Sequence, residues 1–382
     1  MSAPDSPIKV AFVGYGYTHR TFHLPAILLC PEFIVHAFVQ RKEFPIDKRT
    51  GLPGPSCVDD YPNAKRYASM EAMLKDDEVE LVVVVVAGES HAELCIQALE
   101  AGKNVIVEKP FCMSSAEADK VLAAAEKSGK LLSVFQSRRY DSCFRTVNKI
   151  VKSGVLGTIT SAQIRYDLNN AAWARTSTDP GYTPGQGIMF GIGSHSIDQA
   201  LELFGLPSHI TGFYRALRGI ESKTDDTFMI VMRYDHTHPE LQVIVGTELV
   251  SVLPRQLRYF VRGREGSYVK FGEDPQEEQR SNGMKLGDER LGVEEEDRWG
   301  LLSTKTKVNE NQVLEKELWG GDVWTGKVES ETGSGADYYR DLAKALRGKG
   351  PLVVDPKQSR DGLRIMELAR ESYDTDRTLE FD

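Results

Sequence analysis

Three short segments of this chain contain residues that could bind a nucleotide or move a proton. Gly14-Tyr-Gly16 directly follows an apolar run, and Glu108-Lys109-Pro110 follows another. His195 and Asp198 stand three residues apart, which places them on one face of a helix. Glycines after a strand let a pyrophosphate approach a helix N-terminus closely, and a lysine at a strand end can polarise or protonate a substrate oxygen. These types and spacings predict nucleotide binding together with proton transfer.

The tip of the second apolar run bears on which nicotinamide cofactor is bound. A carboxylate there would accept the ribose 2′-hydroxyl of NAD, whereas a cation would neutralise the 2′-phosphate of NADP. This chain has Gln40, Arg41 and Lys42 at that position. The pattern favours NADP, with NAD the less favoured cofactor.

Each motif also has a plain structural interpretation. A pair of glycines can simply form a turn, and a lysine after a strand is often a surface residue. Arg41 and Lys42 can be solvated cations, and His195 can lie at the start of a helix capped by Ser194. The order of the surrounding elements decides in favour of nucleotide binding, because the glycine turn falls within a series of alternating strands and helices.

Apolar strand runs alternate with helical segments through the first third of the chain. Strands are predicted at residues 8–13, 34–39, 81–86, 104–107 and 131–135, and helices at 21–29, 69–75, 91–101 and 115–128. The run Leu81–Val86 is apolar without alternation, which is typical of a strand covered on both faces in a parallel sheet. Repeated βα units of this length predict a doubly wound Rossmann domain over residues 1–136.

A different pattern follows from residue 137 to residue 382. Strands are predicted at 159–166, 210–218, 227–234, 241–250, 257–263 and 267–271, and helices at 144–153, 336–346 and 356–373. Consecutive strands without intervening helices predict an α+β domain with an open, mostly antiparallel sheet. The acidic stretch 273–308 is expected to be a surface loop.

Composition narrows the class of protein further. The 382 residues include 47 Lys and Arg against 56 Asp and Glu, a net charge of −9, which disfavours nucleic acid as a partner. The longest apolar run is far shorter than the roughly 20 residues that span a bilayer, so we expect a soluble protein without a membrane partner. The 5 cysteines lack metal-ligand spacing, so no metal site is predicted, and we expect reduced thiols in a cytoplasmic protein.

Taken together, the motifs resemble the Gfo/Idh/MocA oxidoreductase family, and within it the NADP-dependent scyllo-inositol dehydrogenase-like branch. The resemblance rests on Gly14-Tyr-Gly16 with Arg20-Thr-Phe-His23-Leu-Pro25, Ala101 to Pro110, Ser133 to Asp141, Gly193 to Gln199, and Arg262 to Ser267. It implies an N-terminal Rossmann domain, a nicotinamide near Lys109 and a small-molecule substrate between the two domains. It also implies a homo-oligomer, dimer or tetramer, assembled through the open sheet.

The resemblance assigns roles to individual residues. It implies that Lys109 and His195 are the catalytic pair and that Asp198 is a polar residue on the substrate side. The implied cofactor contacts are Gly14, Tyr15, Gly16, Tyr17, Thr18, Arg41, Lys42, Ala87, His91, Glu108, Lys109, Pro110, Trp173 and Arg175.

The chain departs from the family pattern at three places. Gly191 stands four residues before the histidine, where family members commonly have aspartate, leaving Asp198, Tyr166 or water as substitutes. Val86 to His91 replaces the usual Thr-Pro-x-x-x-His loop, and His19 replaces the small third residue of the glycine turn.

The expected function is NADP(H)-dependent hydride transfer to or from a polyol, sugar, cyclitol or related carbonyl compound. Two alternatives remain open. Gly191 is compatible with a nucleotide-binding regulator or sensor without turnover, because the usual carboxylate is missing. Some relatives use transient oxidation by a bound cofactor to drive elimination or epimerisation, with no net redox change.

Overall fold

The computed structural model describes residues 6–43, 45, 54–171, 174, 184–222, 224–316 and 320–382. These residues divide into two compact units: residues 1–137 with 335–360, and residues 138–334 with 361–382. The first break at Ser137 follows the predicted end of the Rossmann domain by one residue. Residues 335–360 group with the first unit, although the sequence assigns them to the second domain.

A six-stranded parallel sheet forms the first unit, as the alternating pattern predicts. Its strands are β1 (Ile8–Val13), β2 (Phe33–Val39), β3 (Lys65–Tyr67), β4 (Leu81–Val84), β5 (Asn104–Val107) and β6 (Leu132–Val134). They are ordered β3-β2-β1-β4-β5-β6, which is the doubly wound arrangement. All four residues of β4 are fully buried, because helices cover both faces of a parallel sheet.

The connecting helices begin and end where the local sequence dictates. They are α1 (Leu24–Ile27), α2 (Cys57–Asp60), α3 (Met70–Leu74), α4 (His91–Glu100) and α5 (Ser115–Ser128), and a π-helical segment, His19–His23, leads into α1. Ser114 caps α5 by accepting a hydrogen bond from the Glu117 N–H at 3.2 Å. Gly129 ends α5 in the left-handed conformation at φ 65°.

A ten-stranded, mostly antiparallel sheet forms the second unit. Its strands are β7 (Ile159–Arg165), β8 (His209–Arg215), β9 (Thr227–Arg233), β10 (Gln242–Glu248), β11 (Leu257–Gly263), β12 (Gly266–Phe271), β13 (Gly300–Thr304), β14 (Val313–Glu315), β15 (Val323–Val328) and β16 (Leu379–Glu380). The order is β14-β15-β13-β12-β11-β7-β10-β9-β8-β16. Among the described strands of this second sheet, only β7 and β10 pair in parallel.

Helices α6 (Ser142–Lys152), α7 (Ser194–Phe204) and α8 (Gln276–Ser281) lie in the second unit. The expectation of a surface loop at 273–308 is wrong, because that stretch contains α8 and β13. Within it, the Glu294 side chain is buried and pairs with the equally buried Lys270 at 2.9 Å. The acidic residues therefore do not all face solvent.

Two helices precede the last strand, α9 (Gly335–Leu346) and α10 (Pro356–Thr375), and both lie close to their predicted positions. Helix α9 belongs to the first unit, where its tyrosines are buried. None of the helices in the described part of the chain is both long enough and apolar enough to span a bilayer.

Candidate functional site

The turn after β1 is shaped by Gly14. This residue has φ 99°, and a Cβ at its position would overlap the backbone carbonyl oxygen of Val85, just beyond β4. Only glycine allows the turn to approach the neighbouring strand so closely. In this sheet order β1 and β4 are neighbours on either side of the point where the strand order reverses, which is where open α/β sheets bind ligands.

Gly16 leaves room beside the same turn. A Cβ there would meet no atom within 4 Å, and helical turns begin at the next residue, Tyr17. Open space in front of a helix start, next to backbone N–H groups, suits a pyrophosphate. Tyr17 is 74% exposed, so it also leaves this space open. Thr18, the next residue, is half-buried.

His19, which replaces the small third residue of the glycine motif, packs inside the protein against the turn. Its ring is fully buried, stacks on Phe12 at 4.2 Å and has Nδ1 2.7 Å from the carbonyl oxygen of Gly14. Burial lowers the pKa of His19 to about 3, so the imidazole is neutral. Because a carbonyl only accepts, the proton is on Nδ1, and the bond holds the turn in place.

Tyr15 has a partner inside the protein. Its hydroxyl donates to the Asp60 carboxylate at 2.6 Å, and its ring packs edge-on against Phe38 at 5.2 Å. Burial, followed by the hydrogen bond and charge of Asp60, raises the pKa of Tyr15 above its ordinary value. The phenol therefore ties the glycine turn to α2, and we expect any contact of Tyr15 with a cofactor to involve its backbone.

Arg41 and Lys42 lie exposed beyond the end of β2. The preceding Gln40 fixes the loop, since its amide donates to Pro55 O at 2.8 Å and its oxygen accepts from the Cys57 N–H at 2.9 Å. Arg66 on β3 donates to the carbonyl oxygen of Arg41 at 3.3 Å. The fold thus places a third cationic side chain, Arg66, next to Arg41 and Lys42. Sequence reasoning missed Arg66 because β3 was not predicted.

His91 joins two loops at the carboxyl edge of the sheet. It is 1% exposed, with Nδ1 3.0 Å from Pro110 O and Nε2 3.1 Å from Val86 O. Since both ring nitrogens face backbone carbonyls, His91 holds the loop after β4 against the loop after β5. Ala87, in the first of these loops, is exposed.

Lys109 follows β5, next to the loop after β4. It is half-buried, and its backbone N–H donates to the Glu108 carboxylate at 2.9 Å. Glu108 is buried, and its second oxygen lies 3.0 Å from His23 Nε2. Burial by itself would raise the pKa of Glu108, but the hydrogen bond from His23 and the neighbouring Lys109 hold it below its ordinary value. Glu108 is thus an anion inside the unit and a neighbour of the candidate catalytic lysine.

The second unit holds His195 and Asp198 on α7, both buried. Both oxygens of Asp198 accept from the Arg139 guanidinium, at 2.8 and 2.6 Å. Arg139 also donates to Glu202 at 2.8 Å. The fold therefore gives Asp198 an ion-pair partner that clamps α7, a role that the spacing in sequence did not reveal.

Gln199 and Tyr166 complete the surroundings of His195. The rings of Tyr166 and His195 are 5.9 Å apart, and the Gln199 amide donates to the Tyr166 oxygen at 3.3 Å. The Arg258 guanidinium, 1% exposed, lies 3.0 Å from the Tyr166 ring centroid and donates to Arg165 O at 2.7 Å. Sequence reasoning missed Arg258, since an arginine inside a strand pattern has no local signal for burial.

Two of the implied cofactor contacts, Trp173 and Arg175, lie outside the described residues. Gly191, the position where the family has aspartate, is described. A Cβ there would meet no atom within 4 Å, so the position can accommodate a side chain.

One group among the described residues has metal-ligand geometry: His36, Asp76 and Glu78. Lys65 Nζ lies 2.9 Å from Asp76 and 2.8 Å from Glu78. An ammonium therefore already supplies the positive charge that a metal ion would bring to this group.

The chain matches two family models, "Oxidoreductase family, NAD-binding Rossmann fold" over residues 8–136 and "GFO/IDH/MocA C-terminal domain" over residues 144–269. It is 30% identical over 374 residues to scyllo-inositol 2-dehydrogenase (NADP(+)) IolW of Bacillus subtilis, covering 97% of this chain and 95% of that protein. It is 35% identical over 302 residues to an uncharacterized oxidoreductase of Schizosaccharomyces pombe, covering 78% of this chain and 80% of that protein.

Solved structures agree with the sequence matches. The structure of YvaA from Bacillus subtilis superposes with a TM-score of 0.81 at 28% identity, over 98% of this chain and 99% of that chain. The predicted fold class, a Rossmann sheet with a mostly antiparallel second sheet, is confirmed. The predicted family and its NAD(P)-dependent oxidoreductase chemistry are confirmed as well. The chain belongs to the Gfo/Idh/MocA family of NAD(P)-binding oxidoreductases.

Proposed function

We propose that this protein is an NADP(H)-dependent dehydrogenase or reductase of a polyol, sugar, cyclitol or related carbonyl compound. The main supporting observation is that Lys109 follows β5 of the same parallel sheet whose β1 turn leaves open space at Gly16. A proton-transferring amine and a dinucleotide turn thus belong to one rigid sheet edge.

In this mechanism the bound cofactor supplies or takes up the hydride at the substrate carbon. In the reducing direction the Lys109 ammonium donates its proton to the substrate oxygen as the C=O bond becomes C–OH. In the oxidising direction the neutral amine takes that proton back. His195 is the second acid/base group, and Asp198, held by Arg139, positions the helix that presents His195.

Arg41, Lys42 and Arg66 support the preference for NADP. Guanidinium and ammonium groups neutralise a 2′-phosphate, and residues 40–42 contain no carboxylate to bind a ribose 2′-hydroxyl. The carboxylate of the next residue, Glu43, lies 3.9 Å from Arg66. The name of the Bacillus subtilis relative includes NADP(+) and scyllo-inositol, which supports both the cofactor and a cyclitol-like substrate.

The open face of the ten-stranded sheet supports a homo-oligomer, dimer or tetramer. One cross-strand row on this face consists of Thr211, Val231, Ile244, Gln163, Phe260, Val269 and Leu301. None of these side chains is buried, and five of the seven are apolar. A second copy of this chain would cover such a row. The free, buried cysteines support a cytoplasmic location.

The test begins with titrations of NADPH and NADH, followed by a substrate panel of aldoses, inosose-type ketones, dicarbonyls and other ketones, read at the NADPH absorbance band. We expect NADPH to bind more tightly than NADH. Lys109→Ala should lower kcat by about a hundredfold or more with NADPH binding unchanged, since a general acid contributes roughly that much. Lys130→Ala, an exposed lysine after α5, is the control. Normal turnover by Lys109→Ala would refute the mechanism.

Gly191 favours a second candidate, a nucleotide-binding regulator or sensor. The position has space for a side chain, yet the chain has no carboxylate there. NADPH binding without turnover over the whole panel would support this candidate, and turnover of any carbonyl substrate would remove it.

A further inference from the structure

A chain of three buried side chains in the first unit ends at Lys109. Tyr339 on α9 has its hydroxyl oxygen 2.6 Å from His23 Nδ1. His23 Nε2 lies 3.0 Å from one oxygen of Glu108, whose other oxygen accepts the Lys109 backbone N–H at 2.9 Å. Tyr339 and His23 are fully buried, and 316 residues separate them in sequence.

The proton positions follow from the chemistry of each group. The lowered pKa of Glu108 indicates a carboxylate, and a carboxylate only accepts, so His23 carries a proton on Nε2. A single ring proton on Nε2 leaves a lone pair on Nδ1, and in this arrangement Nδ1 accepts from the Tyr339 hydroxyl at 2.6 Å. Burial raises the pKa of Tyr339 well above its ordinary value, so this hydroxyl keeps its proton.

The middle of the chain has little freedom to move. The His23 ring stacks on Phe135 with centroids 3.8 Å apart and planes 26° apart. The titratable groups that face Glu108 are His23, Lys109 and Tyr339, and those flanking Tyr339 are Cys30 and Tyr338. A fixed anion next to an ammonium favours the charged form of both groups.

We propose that Tyr339 and His23 are positioning residues that hold Glu108 as a fixed anion beside Lys109. This proposal rests on the proposed function, in which Lys109 transfers a proton. The hydrogen bond from the Lys109 backbone N–H to Glu108 fixes the position of the Lys109 backbone. The Glu108 charge stabilises the ammonium group that donates the proton. The C-terminal segment thereby takes part in the chemistry of the nucleotide-binding unit.

The neighbouring Tyr338 provides a matched control. It also lies on α9, is 2% exposed, and donates to Ser133 Oγ at 2.9 Å, outside the Lys109 chain. Tyr339→Phe and Tyr338→Phe each remove one buried hydroxyl. We expect Tyr339→Phe to lower kcat by about tenfold, the effect of one lost hydrogen bond, with the Kd for NADPH unchanged. Tyr338→Phe should leave kcat unchanged.

Glu108→Gln tests the proton positions. If the carbonyl oxygen of the introduced amide still accepts from the Lys109 N–H, its NH₂ group must face His23 Nε2. His23 must then move its proton to Nδ1, which donates to the Tyr339 oxygen. Nitrogen-15 NMR of histidine should report Nε2–H in the wild type and Nδ1–H in Glu108→Gln.

Loss of the Glu108 charge should also lower the pKa of Lys109. The reaction of Lys109 with an amine-acylating reagent, followed by mass spectrometry against pH, should therefore shift to lower pH in Glu108→Gln. The limb of the kcat/KM profile that Lys109 controls should shift in the same direction.

These readouts separate failure of the proposal from failure of the proposed function. A wild type without turnover would overturn the function, while the histidine tautomer and Lys109 acylation would still decide the proposal. An Nδ1–H tautomer in the wild type, or an unshifted acylation profile in Glu108→Gln, would overturn it. Equal losses of kcat in the two tyrosine variants would do so as well.

Discussion

At the scale of single residues, the partner of a buried polar side chain decides what that side chain can do. Asp198 has the type of a substrate-binding residue, yet both of its oxygens are bound by Arg139. His19 breaks the glycine motif, yet it holds the Gly14 carbonyl as a neutral imidazole. Both partners depend on which strands and helices the fold brings together.

Gly191 leads to a prediction at this scale. A Cβ at this position, one turn before His195, would meet no atom within 4 Å, so a substitution by aspartate starts from open space. A carboxylate there should stabilise the imidazolium, raise turnover by about tenfold and shift the His195-dependent limb of the pH profile to higher pH.

The variant pair Gly191→Asp and Gly191→Asn separates charge from shape. Steady-state kinetics across pH should show the gain in the aspartate variant alone. Equal kinetics in the two variants would mean that the missing carboxylate does not limit catalysis.

At the scale of elements, the carboxyl edge of the parallel sheet collects the nucleotide-binding candidates. The loops after β1, β2, β4 and β5 all emerge there, because parallel strands end at the same edge. The apolar strand runs and the glycine turn predicted which loops lie at this edge. The short β3 and its Arg66 were not, since three residues give too weak a pattern.

The cations of this edge lead to a second prediction. Arg41→Ser with Lys42→Ser removes two charges that would face a 2′-phosphate. NADPH binding should weaken by about tenfold to a hundredfold, in line with the loss of charge-assisted hydrogen bonds. NADH binding should change little, because NADH lacks that phosphate.

Isothermal titration calorimetry with both cofactors measures the effect. Lys127→Ser with Lys130→Ser, two exposed lysines near the end of α5, controls for the change in net charge. A parallel loss of NADH and NADPH affinity would argue against a 2′-phosphate site.

At the scale of the whole molecule, the chain forms two compact units, and its C-terminal segment contributes to both. Residues 335–360 group with the first unit and 361–382 with the second. The sequence indicated a boundary near residue 136. No local sequence pattern predicted that α9 would pack in the first unit. Its amphipathic pattern predicts a helix and not the surface that the helix covers.

The open sheet face leads to a prediction about assembly. Ile244 lies between Val231 and Gln163 in the row defined above. If a second copy covers this row, Ile244→Glu places a charge in an apolar contact and should shift the protein to monomers. Val252→Glu, at a residue 81% exposed outside the row, should not.

Size-exclusion chromatography with light scattering reports the molar mass of both variants. An unchanged oligomer in Ile244→Glu, with its fold intact by circular dichroism, would exclude this face as the interface.

The sequence by itself determined the fold class, the glycine turn, the basic tip of β2 and the identity of Lys109 and His195 as candidates. These features depend on local periodicity and on residue type, which neighbouring positions in the chain reveal. The tertiary structure decided the partners: Arg139 for Asp198, Arg258 for Tyr166, and Tyr339 with His23 for Glu108. Each of these contacts joins segments far apart in sequence, and a buried polar group takes whatever partner the packed elements place beside it.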